Sequence, residues 1–162
     1  MKKLILIFTL LISANTLSAQ SDSSPVIIGV FSDSVTGSDF FKEWLIIHGE
    51  PSPNAETVSK LKAIPTSNFS FRIYMGTWCE DSQIHVPRFI KIADKLGWKY
   101  SLIGVNREKE CPFEKKECKT WDIQFVPTMV VYRDEIEVGR IIENPKTSIE
   151  DDLLDIITKG LN

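Results

Sequence analysis

The chain has 162 residues, with 19 Lys and Arg against 22 Asp and Glu, and 43% of its residues are hydrophobic. That is room for one domain whose core needs no disulfide staples, and the charge balance offers no basic face of the kind nucleic acid requires. Charges of both signs are interspersed rather than blocked, so they read as a solvated surface.

Residues 1–19 stand apart from the fold. Lys2 and Lys3 make a positive start, Leu4 to Ile12 is an apolar run, and Leu17-Ser18-Ala19 ends on a small residue. This is the pattern of a secretory signal peptide, with cleavage expected after Ala19. The run is shorter than the ~20 residues of a bilayer span. No cysteine follows the cut, so a lipoprotein anchor is not expected; an uncleaved anchor is the alternative reading. The short Lys-Lys start and the Ala-Gln junction look bacterial, which points to the periplasm or secretion, with no membrane attachment after cleavage. Removing Lys2 and Lys3 leaves 17 basic against 22 acidic residues, a net charge of −5.

Ser21 to Ser24 is a polar leader. Val26 to Phe31 is a candidate strand and Ser32 to Ser38 a loop. Ser38 or Asp39 caps a helix with Phe40, Phe41, Trp44, Leu45 and His48 at helical spacing. Gly49 and Pro51-Ser52-Pro53 end it. Asn54 caps a second helix with Val58, Leu61 and Ile64 on one face. Residues 20–65 therefore read as an N-terminal extension of one strand and one or two helices, packed on a core spanning 66–162.

That core opens with Phe69 to Met75, an apolar-rich strand that breaks at Gly76-Thr77. A helix follows, with Val86, Phe89, Ile90 and Ala93 at helical spacing and its end near Lys95 and Gly97. Cys79 sits where strand passes to helix. Unpaired N–H groups and the positive end of the helix dipole favour thiolate over thiol there. Glu80 and Asp81 act in the opposite sense. Trp98 to Val105 is the next strand, and Asn106 to Lys119 a charged loop holding Pro112. Thr128–Arg133 and Val138–Ile142 pair as an antiparallel hairpin across Asp134-Glu135. A helix capped by Ser148 and running to Ile157 closes the chain, with acids in its first turns.

Trp78-Cys79-Glu80-Asp81-Ser82, with Pro87 eight residues after the cysteine, and Val126-Pro127-Thr128 before a strand, together resemble the thioredoxin superfamily over roughly residues 66–160. The tail also looks like that of exported bacterial thioredoxin-like proteins with a Trp-Cys-x-Asp-Ser (CxxS) motif. The resemblance implies an α/β thioredoxin-like fold, a central mixed β-sheet flanked by helices, with Cys79 as nucleophile. It implies a cis Val126–Pro127 bond and a substrate groove made by Trp78, Val126, Pro127 and Thr128. Two departures stand out. Ser82 occupies the place of the resolving cysteine, and Ile73 the place of a buried proton-shuttling aspartate.

Ser82 lies one helical turn from Cys79 and is expected to share its catalytic role, its hydroxyl close enough to donate a hydrogen bond to the thiolate, but it cannot form a disulfide. The expected activity is therefore monothiol disulfide exchange or isomerisation on protein or small-molecule thiols and disulfides, with no cofactor. The competing reading is a non-catalytic thioredoxin-fold binding module that uses the Pro127 groove.

Cys111 and Cys118 are the nearest pair for a disulfide in an exported chain. A continuous helix would hold them ~10 Å apart, beyond the reach of about 7 Å that a disulfide allows. The bond therefore requires a non-helical segment; free thiols, or resolution of Cys79 by one of them, are the alternatives. The cysteines lack metal-ligand spacing and His48 and His85 complete no pattern with them, so no metal is expected. His85, six residues past Cys79, should point about 240° away from it, as a surface or packing residue. His48 reads as a residue at the core edge.

Overall fold

The computed structural model describes residues 25–31, 37–48, 52–113 and 121–161, the Phe40 side chain excepted. The expected signal peptide, the polar leader and Cys118 lie outside the described residues. Five strands form one mixed sheet in the order β1-β3-β2-β4-β5. They are β1 (Gly29–Val30), β2 (Phe69–Met75), β3 (Tyr100–Gly104), β4 (Thr128–Arg133) and β5 (Ile136–Ile142). The described helices are α1 (Asp39–His48), α2 (Ala55–Lys62), α3 (Glu80–Leu96) and α4 (Ile149–Gly160). None of them is long and apolar enough to cross a membrane.

β2 is the central strand, parallel to β3 and antiparallel to β4. Its alternation sorts its side chains. Phe69, Phe71, Ile73 and Met75 enter the larger core on the helical face, and Tyr74 enters the smaller one on the opposite face. The larger core takes Phe41 and Trp44 from α1, Leu61 from α2, Val86 and Phe89 from α3, and Leu153 and Ile157 from α4. Phe71 stacks on Trp98 with ring centroids 4.4 Å apart.

The helix ends follow their sequence signals. Asn54 Oδ1 accepts from the Glu56 and Thr57 N–H groups at 2.9 and 3.1 Å, and Ser148 Oγ accepts from Asp151 N–H at 3.2 Å. Gly97 closes α3 with φ +66, the left-handed conformation that glycine adopts without strain.

Several boundaries differ from the sequence reading. Only two residues of the 26–31 stretch pair as strand, because Gly29 has φ +102 and the polar groups of Pro25 and Ile27 turn to Thr77 instead. On α2 the inward residues are Thr57 and Leu61, with Val58 half-buried. The Thr57 hydroxyl donates to Asp151 of α4 at 2.8 Å, which rotates it toward that helix. β5 starts at Ile136 rather than Val138. Asp134 and Glu135 both have positive φ, the geometry of a two-residue hairpin turn, which needs no further loop.

The second face of the sheet carries Tyr74, Ile103, Val105, Ile123, Val126 and Val130, with Trp121 and Phe113 packed against them. Trp121 meets the Tyr74 ring edge-on at 4.6 Å and donates to the Lys109 carbonyl at 3.1 Å. A groove of about 480 Å³ runs there, bordered by Arg72, Tyr74, Tyr132 and Arg140.

Burial pushes the Tyr74 phenol up from 10 to about 12, with Tyr132 adding to the rise and Arg72 opposing it. The fold thus favours the neutral phenol. That stabilisation is complete below about pH 10 and is lost as pH rises through about 12. Tyr74→Phe should therefore flatten the fall in unfolding free energy across that window, measured by urea melts at successive alkaline pH values. An unchanged slope would show that Tyr74 is not the titrating group.

Candidate active site at the β2–α3 turn

Residues 76–79 carry the chain from the end of β2 into α3, and each of them is tied to a neighbour. Gly76 N–H donates to Ser82 Oγ at 3.2 Å. Cys79 N–H donates to the Gly76 carbonyl at 3.0 Å. The Thr77 carbonyl accepts from the Gln83 side-chain amide at 3.3 Å. The Thr77 hydroxyl donates to the Pro25 carbonyl and accepts from Ile27 N–H. The Trp78 indole donates to the Val105 carbonyl at 3.1 Å, and the Arg107 guanidinium lies over its ring at 5.0 Å. Gly76 is needed here, since a Cβ at that position would lie 2.6 Å from the folded-back indole.

Cys79 is the N-cap residue of α3, in extended conformation and without a side-chain capping bond. It is a free, half-buried thiol. Its Sγ donates to the Val126 carbonyl at 3.1 Å. The Val126–Pro127 peptide is cis. β4 delivers that loop to the sulfur because Thr128, its first residue, pairs with Tyr74 near the end of β2. Thr128 also donates through its hydroxyl to the Phe125 carbonyl at 2.8 Å. From the other side, Glu143 N–H donates to the Pro127 carbonyl at 2.7 Å. Trp78, Cys79, Val126, Pro127 and Thr128 thus converge at one end of the sheet. Ser82 is fully buried on the first turn of α3. Its oxygen serves the turn, accepting from Gly76.

His85 is buried at 8% exposure. It is a packing residue rather than a surface one, and its Nε2 meets Asn144 Oδ1 at 2.9 Å. It therefore links α3 to the same post-β5 segment that holds Pro127. Sequence reasoning missed Thr77, Gln83, Glu143 and Asn144. Gly76-Thr77 registered only as a strand break, and the partners of Thr77 and Asn144 lie 50 or more residues away.

Cys111 lies half-buried in the loop after β3, and residues 111–113 are not helical. Its expected partner, Cys118, lies outside the described residues. Among the described residues no cluster of His, Cys, Asp and Glu is placed to hold a metal ion.

No protein-family model matches the chain, and no curated protein matches it. Solved structures do. A Pseudomonas aeruginosa protein of unknown function aligns at TM-score 0.60 and 14% identity, covering 83% of this chain and 94% of its own. An HIV epitope scaffold aligns at TM-score 0.52 and 16% identity, covering 83% of this chain and 85% of its own. A mutant thioredoxin from Halobacterium salinarum aligns at TM-score 0.38 and 15% identity, covering 68% of this chain and 89% of its own. The first two likenesses bear on fold alone. The architecture is α/β, a five-stranded mixed sheet with four described helices.

The Ser82 bond has a measurable consequence. Ser82→Ala leaves a buried Gly76 N–H without its acceptor, which should cost about 1–3 kcal/mol. Urea denaturation measures the loss, and the Gly76 amide should exchange faster with solvent than in the wild type. Unchanged stability together with unchanged protection would remove the bond from the account.

Proposed function

We propose that this chain is an exported thioredoxin-like protein that performs monothiol disulfide exchange, of the isomerase type, through Cys79. One observation carries the reading: a free sulfur at the N-cap of α3 lies 3.1 Å from the carbonyl that precedes Pro127. In this reading a disulfide-bearing partner would approach the sulfur beside half-buried Trp78 and along the Val126–Thr128 loop, whose side chains are themselves buried.

The chemistry balances without a cofactor. The Cys79 thiolate attacks one sulfur of R–S–S–R′, a Cys79–S–S–R bond forms, and R′–S⁻ leaves with the electron pair. A second thiolate then attacks the R-bearing sulfur of the mixed disulfide and forms a new S–S bond to it, and the Cys79 thiolate leaves with the electron pair. In isomerisation that thiolate comes from the substrate, so no net oxidation occurs. Ser82 has no sulfur with which to perform this release.

The signal peptide and a Cys111–Cys118 disulfide belong to the same reading. Export would place the chain where such a bond persists, and Cys111 does not stand as a free thiol. A second reading, a binding module without turnover, draws on the Ser82 oxygen being engaged by Gly76.

Alkylation of folded protein at neutral pH, mapped by mass spectrometry, should label Cys79 and be abolished by Cys79→Ser. Wild-type protein should also hold mixed disulfides with added protein disulfides until an external thiol arrives. Ser82→Cys should shorten their lifetime. Cys111→Ser combined with Cys118→Ser should leave trapping intact. A Cys79 that stays unlabelled while the protein is folded favours the binding module. Rapid release that disappears when Cys111 or Cys118 is replaced would make one of those thiols the resolving group.

A further inference from the structure

We propose that residues 25–31 are a working part of the Cys79 site, a strap whose hold on Thr77 positions the turn that carries the sulfur. This rests on the reading of Cys79 as the nucleophile. Thr77 is fully buried and lies two residues before Cys79. Its hydroxyl donates to the Pro25 carbonyl and accepts from Ile27 N–H at 3.3 Å. The bonds of that hydroxyl thus run to the strap and not to its own turn.

The strap is itself seated on β3. Gly29 and Val30 pair with Gly104 and Ile103, and Phe31 N–H donates to the Leu102 carbonyl at 2.9 Å. The Ile27 carbonyl crosses so close to Gly104 that a Cβ there would lie 2.1 Å from its oxygen. Glycine at 104 is what admits the strap. On the other side of Thr77, its carbonyl holds the Gln83 side chain on the first turn of α3. The strap therefore anchors the Thr77 side chain, while Gln83 holds its carbonyl. Held at both points, the turn delivers Cys79 to α3 with its sulfur toward Val126. Thr77 does not touch the reacting sulfur; it is a positioning residue. The N-terminal extension thus acts on the chemistry of the core as well as adding to its packing.

The experiment measures the second-order rate of Cys79 labelling by iodoacetamide, per folded molecule, with urea melts in parallel. Thr77→Val keeps the shape and removes the hydroxyl, and it should slow labelling about tenfold through lost preorganisation. Thr77→Ser keeps the hydroxyl and should restore the rate to within about twofold. Gly104→Ala alters neither Thr77 nor Cys79, yet it forces the Ile27 carbonyl away and should slow labelling by a similar factor. The double variant should be no slower than either single one, since both act through one contact.

A role confined to stability would lower the urea midpoint and leave the rate of the folded fraction unmoved. Folded Thr77→Val labelling at the wild-type rate overturns the strap. So does folded Gly104→Ala at that rate. Should Gly104→Ala fail to fold, Thr77→Val and its rescue by Thr77→Ser decide alone. Wild-type Cys79 that does not label overturns the nucleophile reading and the strap with it. Normal wild-type labelling with unmoved variants overturns the strap only.

Discussion

The satisfaction of backbone polar groups at the end of β2 is the constraint from which the site follows. β2 is hydrogen-bonded along both edges and buried on both faces. The chain leaves it in a place largely closed to water, where unpaired N–H and C=O groups are costly. Residues 76–79, through backbone and side chains together, meet that demand with partners from four places in the sequence. Ser82 and Gln83 come from α3, Val105 from the end of β3, Pro25 and Ile27 from the N-terminal segment, and Val126 from the loop before β4. The geometry around the sulfur is thus a product of topology. Parallel β3 brings Val105 alongside Trp78. Antiparallel β4, in the register Tyr74 to Thr128, brings Val126 and Pro127 up to Cys79.

The same reasoning separates what was legible in the sequence from what was not. β2, α3, the β4–β5 hairpin and α4 were readable because their signals are local: alternation, helical spacing, Asn54 and Ser148 as caps, Gly97 as a stop. The stretch 26–31 looked like a full strand because it is apolar throughout. Apolar content does not reveal which backbone groups find partners, and here those of Pro25 and Ile27 go to a side chain 50 or more residues away. The inward turn of Thr57 was hidden for a like reason, since Asp151 draws it.

In the site, Cys79 was found from its place between strand and helix, and Trp78, Val126, Pro127 and Thr128 from a motif resemblance. Thr77 carried no signal of its own. Helical geometry points His85 away from the sulfur but says nothing of its burial or of its contact with Asn144, which no periodicity foretells.

Ser82 shows how position and role come apart. Helical spacing places its hydroxyl near the sulfur, and a comparison of motifs describes it by the cysteine it replaces. Its oxygen instead takes the Gly76 N–H, inside a fully buried site. Sulfur is a weak acceptor, so a thiol at this position would hold the turn less firmly. A resolving thiol must also be free to reach toward Cys79, and a group anchoring Gly76 is not free. Release chemistry and a locked turn therefore compete for the same atom. Serine settles that competition for the turn. Under the proposed monothiol reading, adduct release then passes to a thiol from outside the site, and the stiffness of the Cys79 turn is the return for it.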